Sequence, residues 1–470
     1  MVKMNHRKKA SRQQATQASC GSIVKVTPDT RYDECSERLT AFGGLLALVK
    51  FLDLIGFEAL FAEHYRAPQR KTQLGHYRMV SGIVMLLFIG FQRLGHFAYL
   101  RYDAMLCGVL QVAVLPAVST FWRYLQAMGL VQSQSLLRLG AALRRRVWQL
   151  CGYAPRAVQI NIDTTVSTVY GAIEGARKGH NRKHRGKKAL RPVLCFVSET
   201  REYLCGTQRR GQTMSGEEVA RQIRQFRSLL PDCVQQVLVC GDAEFIGHES
   251  VAACLDEGFR FIFANKVCAP PFAERGWYRH GDYEYNECRH QPSSWKQPCR
   301  FVAMRIRQEQ RGQRQLRLLD NGPYLYRVFA TNHPGRPHQV VAQYDQRAAA
   351  EPLIGEAQRE GVLAIPSKRF QSHHAFFQIV MLAYNLWRWM KWLASQADLP
   401  ASSGQPQPKR PQIQLPDHTI RIARLKMLYV AAKIVVHGNR DELRYSGHEQ
   451  RAAGLIDFLQ YLDRRRAEAA

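Results

Sequence analysis

A tyrosine, an arginine and a glutamate follow one another three and four residues apart as Tyr344, Arg347 and Glu351. On a continuous helix this spacing puts the aromatic ring, the cation and the carboxylate on one face. One carboxylate has little chemistry of its own, so the pattern requires partner acids elsewhere in the chain. Asp163 and Asp242 are the candidates, because each stands at the end of a stretch with the pattern of a strand.

Three carboxylates brought together repel one another strongly, and a hard divalent cation among them relieves that repulsion. Two Mg²⁺ or Mn²⁺ ions held in this way can activate an attacking oxygen and stabilise the leaving oxygen of a phosphoryl displacement. Asp163, Asp242 and Glu351 are therefore predicted as catalytic residues and metal ligands, although either aspartate alone also fits a solvated or capping acid. Tyr344 and Arg347 are predicted to contact a phosphate or to orient Glu351, and an ordinary Arg–Glu pair within a helix is the alternative.

The stretch that ends in Asp163 has the period of a strand. Apolar and polar residues alternate over 158–163, which predicts a strand with one apolar face that extends, in one interpretation, through Val169. Residues 193–197 and 203–207 predict a hairpin, and the polar run 198–202 is its connection.

The stretch that ends in Asp242 is different, because residues 237–241 are almost wholly apolar. Such runs are typical of buried parallel strands, and open α/β sheets have their sites at the carboxyl ends of these strands. Helices are predicted from Ser215 to about Leu230 and over 248–257, and a further strand over 259–264.

The patterns together predict an α/β protein. Residues 376–393 are apolar on nearly all sides and predict a core helix that closes the catalytic domain. The predicted organisation is a basic tail (1–38), a helical DNA-binding domain (39–150), a catalytic core in two parts (155–267 and 339–395) around a mainly β insertion (268–338), and a linker with a C-terminal module (396–470).

Composition indicates the partner. With 67 Lys and Arg against 38 Asp and Glu, the formal net charge is +29, which favours nucleic acid first and a membrane surface second. The longest apolar run, 79–92, is shorter than the ~20 residues of a membrane span. The N-terminus lacks the apolar stretch of a secretory signal, so a cytoplasmic protein is expected. No Gly-rich phosphate loop ends in Gly-Lys-Ser/Thr, so no nucleotide cofactor is expected.

Two further regions are candidates for DNA contact. Residues 115–125 predict a turn, an N-cap at Ser119 or Thr120 and a short helix that carries Arg123 outward, as in a helix-turn-helix or an ordinary helical hairpin. A strongly basic loop follows the first strand. The predicted DNA contacts are Tyr344, Arg347, Arg123, Lys178, Arg182, Lys183, Arg185, Lys187 and Lys188.

The order of these motifs resembles a known family. Residues 162–165 (Ile-Asp-Thr-Thr), residues 240–242 (Cys-Gly-Asp) and the Tyr344, Arg347, Glu351 spacing are similar to those of the DDE transposases of bacterial insertion sequences. Within them the chain resembles the insertion-sequence family numbered thirteen-eighty. The resemblance covers residues 155–395 and, more loosely, both flanks.

The resemblance implies an RNase H-like catalytic core in which Asp163, Asp242 and Glu351 bind two divalent ions. It also implies that water cuts the element ends, that the freed 3′-hydroxyl attacks target DNA, and that a homodimer synapses two ends of double-stranded DNA. A β insertion between the second and third acids belongs to the same pattern.

The chain departs from the family in two places. Gln358 stands where the family has a lysine, and Pro352 favours a regular helix that begins beside Glu351, which weakens the single-face arrangement. Two alternatives remain open at this point. One is a sequence-specific DNA-binding regulator, or an inactive relative, without cleavage activity. The other is a tyrosine recombinase.

Overall fold

Helices fill the N-terminal part of the chain and strands its middle part. The computed structural model describes residues 26–179, 184–266, 268–307, 323–397, 415, 417–437 and 440–469. The helices are α1 (Leu45–Leu54), α2 (Phe57–His64), α3 (His76–Phe88), α4 (Ala104–Leu110), α5 (Val118–Ala127), α6 (Leu130–Leu150), α7 (Gly216–Arg224), α8 (Phe226–Leu229), α9 (His248–Asp256), α10 (Pro337–Asp345), α11 (Ala350–Ala357), α12 (Phe370–Ala397), α13 (Ile420–Ala423) and α14 (Gln450–Ala469). The strands are β1 (Arg38–Thr40), β2 (Ala157–Thr164), β3 (Ser167–Thr168), β4 (Arg177–Lys178), β5 (Lys188–Leu190), β6 (Val193–Val197), β7 (Glu202–Thr207), β8 (Gln236–Gly241), β9 (Arg260–Ala264), β10 (Tyr278–His280), β11 (Tyr283–His290), β12 (Cys299–Arg307), β13 (Tyr324–Thr331), β14 (Ala432–His437) and β15 (Arg440–Tyr445).

The helical pattern predicted before residue 150 is confirmed by α1 to α6. Helix α5 begins at Val118, directly after Ala117, whose backbone is extended (ψ 149°) and which offers no capping side chain. The predicted N-cap at Ser119 or Thr120 is therefore wrong, because both residues already lie within the first turn of the helix. Arg123 is exposed on α5, as predicted.

A nine-stranded mixed sheet forms the centre of the molecule, in the order β10-β11-β12-β13-β9-β8-β2-β6-β7. Strands β2, β8 and β9 are parallel neighbours, whereas β6 and β7 continue the sheet from β2 as an antiparallel hairpin. The predicted hairpin and the predicted buried parallel strand are thereby confirmed.

The insertion is mainly β in its described part, as predicted, but it does not stand apart from the core. Its last strand, β13, pairs with β9 in antiparallel fashion, with Phe329 opposite Ala264 and Thr331 opposite Ile262. Strands β10 to β13 therefore extend the same sheet, and the core and the insertion share one continuous hydrogen-bonded layer.

Strand β2 lies between β6 and β8, and both its faces are covered. The apolar face predicted for this strand is present, and the polar residues of its other face, Gln159 and Asn161, are buried as well. The two amides pair with each other (Gln159 Nε2 to Asn161 Oδ1, 2.8 Å), and Gln343 of α10 donates to Gln159 Oε1 (2.7 Å). The strand ends at Thr164 rather than continuing through Val169.

Helix α12 is the apolar core helix predicted from residues 376–393. It packs against α3, α6 and β7. Its charged residues are buried with partners, since Arg388 bonds to Glu356 and Lys391 donates to the carbonyl of His418. Across the described part of the chain, no helix combines the length and apolar character needed to cross a membrane.

The two ends of the described chain meet. Strands β1, β14 and β15 form a three-stranded antiparallel sheet, and α14 packs against α1. The strand predicted within 434–440 is confirmed as part of β14, and a second strand, β15, begins at Arg440. Gly438 and Asn439, where the turn is predicted, lie outside the described residues. Most of the predicted tail and linker also lies outside them.

Candidate active site at the strand ends

The two aspartates leave the central sheet at the same edge. Strands β2 and β8 are parallel, with Ile162 opposite Gly241, so Asp163 and Asp242 follow matching positions on neighbouring strands. Both strands owe their position to buried apolar residues, and their carboxyl ends meet at one edge. The sequence-based expectation that these acids lie close together agrees with this register.

Glu351 reaches the site from a broken helix. Helix α10 ends at Asp345, a 3₁₀ turn spans Gln346–Ala349, and α11 begins at Ala350. Tyr344, Arg347 and Glu351 therefore do not share the face of one continuous α-helix, and the single-face prediction is wrong. The cause is Pro352, which is tolerated in the first turn of a helix but not in its interior.

The surroundings of Asp163 raise the pKa of its carboxyl group. Burial raises the pKa of Asp163 to about 6, and the negative charges of Asp242 and Glu351 add to the rise. Arg347 and a hydrogen bond from the backbone N–H of Thr164 (2.7 Å to Oδ1) act in the opposite direction. The carboxylates of Asp242 and Glu351 are thus both within electrostatic reach of Asp163.

Arg347 makes the direct contact with Asp163. Its Nη2 donates to Asp163 Oδ2 (2.7 Å) and lies 3.4 Å from the carbonyl oxygen of Ile162. The ring of Tyr344 is 6.0 Å from the guanidinium and packs against Phe329 at 4.6 Å. Tyr344 is buried, so its ring supports Arg347 from within the core, and its contact with DNA stays a prediction.

One acid of the site was missed by sequence reasoning. Glu244 Oε2 accepts hydrogen bonds from Arg191 Nη2 (2.6 Å) and from Thr164 Oγ1 (3.1 Å), and the Glu244 N–H donates to Asp242 Oδ1 (2.9 Å). These bonds tie the end of β2 to the loop after β8. The available signal was the spacing of Asp242 and Glu244, two residues apart directly after a buried strand.

The departure at Gln358 also lies beside the site. Its side-chain amide donates to Thr165 Oγ1, two residues after Asp163. Gln358 is thus bonded within the protein at the position where the resemblance calls for a lysine.

The donors that could hold a metal are all carboxylates, which suits a hard divalent ion. Within the described ranges, however, no three His, Cys, Asp or Glu side chains are gathered closely enough to hold an ion together. Glu351 is exposed at the start of α11, whereas both oxygens of Asp163 accept hydrogen bonds from the chain itself.

The predicted basic contacts lie on a small sheet that follows β2. Strands β4 and β5 place Lys178 opposite Lys188, and the side chains of Arg185 and Lys187 are exposed before β5. Arg182 and Lys183 lie outside the described residues. The exposed cations form a basic surface, and their contact with DNA stays a prediction.

Fold and site together define a mixed α/β protein with a cluster of acids at the carboxyl edge of its sheet. The chain belongs to the transposase DDE domain family, group 1, which matches residues 27–467. The predicted DDE transposase family is thereby confirmed, and the tyrosine recombinase alternative is set aside. Membership of the insertion-sequence family numbered thirteen-eighty and a bacterial source stay predictions.

No curated protein matches the sequence. A solved structure described as the piggyBac transposase synaptic complex with hairpin DNA is similar to the chain with a TM-score of 0.43 and 10% sequence identity, over 93% of this chain and 88% of that one.

Proposed function

We propose that the protein is a divalent-metal-dependent DNA transposase that cleaves at the ends of an insertion sequence and joins the 3′-hydroxyl to target DNA. Asp163, Asp242 and Glu351 are its catalytic acids. One observation carries the assignment of the site: Asp163 is a largely buried carboxyl at a parallel strand end, where burial, with added contributions from the charges of both other acids, raises its pKa to about 6. Family membership supports the reaction class.

The catalytic core is proposed to be an RNase H-like sheet formed by β7, β6, β2, β8 and β9. Its support is the strand order, in which an antiparallel hairpin flanks β2 on one side and two parallel strands flank it on the other. Helices α7 and α8 lie between β7 and β8 in the chain, and α9 lies between β8 and β9.

The donor set fits Mg²⁺ or Mn²⁺, because it offers carboxylate oxygens whose mutual repulsion a cation would relieve. Asp163 and Asp242 would hold the ions from the sheet edge, and Glu351 from the start of α11. When bound, two such ions activate an attacking oxygen and stabilise a leaving oxygen in phosphoryl displacement.

The chain's own residues supply position and charge. Glu244, bonded to Thr164 and Arg191, holds the loop of Asp242 against the end of β2. Arg347 brings a guanidinium to the same edge, where its planar donors match a phosphate. The exposed basic residues of β4 and β5 and Arg123 on α5 are proposed to bind double-stranded DNA, and a homodimer is proposed to synapse two ends.

Cleavage and joining of DNA that carries the inverted repeats flanking the coding region test the function. With Mg²⁺ or Mn²⁺, the wild-type protein is expected to nick these ends and to join them to a target. Asp163→Asn, Asp242→Asn and Glu351→Gln are each expected to reduce the rate by at least about a hundredfold, since general acid–base and metal contributions have this size.

Asp232→Asn is the matched control, because Asp232 is an exposed aspartate in the loop at the opposite end of β8. It is expected to keep wild-type activity. Full activity of any of the three site variants contradicts the site assignment. Sequence-specific binding of the repeats without cleavage under either metal favours the DNA-binding regulator instead.

A further inference from the structure

Both carboxylate oxygens of Asp163 are engaged by the protein itself. The backbone N–H of Thr164 donates to Oδ1 and Arg347 Nη2 donates to Oδ2, each at 2.7 Å. The guanidinium therefore lies at one of the two oxygens that a metal ion would use. A guanidinium and a divalent cation at the same carboxylate repel each other, so the bound guanidinium lowers the affinity of the site for the ion.

Arg347 is held at this carboxylate mainly by charge. Its side chain is mostly buried, yet its Nε has no hydrogen-bond partner in the described structure, and its second bond, to the Ile162 carbonyl, is long at 3.4 Å. A buried guanidinium with an unused donor is not fully bonded by its surroundings. A phosphate, which accepts paired bonds from arginine, offers it a stronger partner.

The segment that carries Arg347 is a joint between two helices. The 3₁₀ turn Gln346–Ala349 separates α10, which carries the buried Tyr344, from α11, which carries the exposed Glu351. A short 3₁₀ stretch between helices is a common hinge. Movement of Arg347 would therefore not require the rearrangement of a regular helix.

We infer that Arg347 is the resident counter-cation of Asp163 in the DNA-free protein, and that it leaves Asp163 for a DNA phosphate. The inference rests on the proposed function and adds a regulation to its site: Arg347 competes with the divalent ion, and DNA relieves the competition. Binding of DNA and of metal is then coupled positively, and by linkage each strengthens the other to the same extent.

Titration calorimetry with Mn²⁺ on the full chain without DNA tests the competition. Arg347→Gln is expected to bind Mn²⁺ roughly tenfold more tightly than the wild type, within the range usual for coupled sites. Arg347→Lys keeps the charge and is expected to stay close to the wild type. Arg224→Gln, at an exposed arginine of α7, removes the same net charge elsewhere and controls for the general field of the protein.

In a second experiment, the Mn²⁺ titrations are repeated in the presence of a short DNA duplex that carries the inverted repeats. The duplex is expected to raise the Mn²⁺ affinity of the wild type. It should raise the Mn²⁺ affinity of Arg347→Gln much less. Equal Mn²⁺ affinity of the wild type and Arg347→Gln without DNA overturns the inference, as does an equal gain of both proteins from the duplex. A tightening by Arg224→Gln as large as that by Arg347→Gln overturns it too.

Asp163→Asn separates this inference from the proposed function. If Asp163→Asn loses Mn²⁺ binding while Arg347→Gln binds Mn²⁺ with the affinity of the wild type, only the competition is refuted. Mn²⁺ binding that Asp163→Asn leaves unchanged refutes the metal site itself, and the inference with it. Thermal unfolding of each variant confirms that the comparison is made between folded proteins.

Discussion

Arg144–Glu202 and Arg347–Asp163 are two arginine–carboxylate pairs at the same central sheet. In both pairs the Nε of the arginine has no hydrogen-bond partner among the described residues, but the pairs differ in burial and in the bonds of their other polar atoms. Glu202 is completely buried and accepts hydrogen bonds from Trp148 Nε1 (2.8 Å), from Thr200 Oγ1 (2.9 Å) and from Trp389 Nε1. Arg144 lies 3.3 Å from Glu202. Its terminal nitrogens also donate to backbone carbonyls on α8 and β7.

The pair at the active site is less complete. Its side chains are 11% and 18% exposed, against 1% and 0% for Arg144 and Glu202. Asp163 also faces two further carboxylates, which raise its pKa, whereas the groups that bond directly to Glu202 are all donors. The first pair therefore joins α6, β7 and α12 in the core, while the second keeps a charge at a site where that charge costs stability.

The largest effect is expected from Glu202→Gln. The amide has one acceptor oxygen for three donors, its NH₂ group faces donors, and Arg144 loses its anion. Breaking a buried pair in this way typically costs about 3–5 kcal/mol of unfolding free energy. Urea denaturation measures it.

Glu217→Gln, at an exposed glutamate of α7, is the control and is expected to stay within about 0.5 kcal/mol of the wild type. A similarly small loss in Glu202→Gln would remove the distinction between the two pairs.

Glu202 also marks a limit of what the sequence predicts. The sequence predicts its run, 198–202, as the polar connection of a hairpin, and the hairpin is confirmed, but Glu202 starts β7 and is fully buried. The local sequence shows where apolar residues alternate with polar ones or follow one another without interruption. These two patterns located β2, β8 and the two aspartates. They do not show whether a distant tryptophan supplies a donor for a buried acid.

The same limit applies at the site. The pairing of Glu244 with Arg191 joins residues 53 positions apart, and the pairing of Arg347 with Asp163 joins residues 184 apart. The pairing of β13, the last strand of the insertion, with β9 is likewise a contact that no local periodicity of the sequence predicts. The break between α10 and α11, by contrast, had a local cause in Pro352 and could be anticipated from it.

The helix that carries Trp389, α12, also has two buried histidines near its start. The unfolding free energy of the protein is therefore expected to depend on pH. Burial lowers the pKa of both His373 and His374 to about 4. The unfolded chain binds protons below its ordinary histidine pKa of about 6.5, so the unfolding free energy is full above that pH and falls toward pH 4. At pH 5 the loss is about 2 kcal/mol per histidine.

Denaturation of His374→Leu at a series of pH values tests this expectation. The variant should lose about 2 kcal/mol less than the wild type between about pH 7.5 and pH 5. His448→Leu, at an exposed histidine before α14, is the control and should follow the wild type. Parallel curves for the wild type and His374→Leu would show that His374 has the same pKa in the folded and the unfolded protein.

Asp163→Asn makes the same change from acid to amide as Glu202→Gln, but the sign is expected to reverse. The amide removes a buried charge that faces Asp242 and Glu351, and its one oxygen still accepts a bond from Arg347. Its NH₂ group then faces the N–H of Thr164, which offsets part of the gain. In the presence of a chelator, the variant is expected to be more stable than the wild type by about 1–2 kcal/mol, as at other sites where function costs stability.

Asp232→Asn again serves as the control and is expected to change the unfolding free energy by less than about 0.5 kcal/mol. A loss of stability in Asp163→Asn would mean that the carboxylate of Asp163, like that of Glu202, holds the fold together. The contrast between the two pairs would then fail at the active site.

The smallest effect is expected from Arg347→Gln. Asp163 loses its counter-cation, but it can take up a proton readily, because its pKa is already about 6. The expected loss is about 1 kcal/mol, between the values for exposed and fully buried pairs, whereas Arg144→Gln should lose about 3–5 kcal/mol. Urea denaturation of both variants gives the comparison directly. Equal losses would make Arg347 a structural residue like Arg144, and its departure from Asp163 on binding DNA would then cost too much to couple the two ligands.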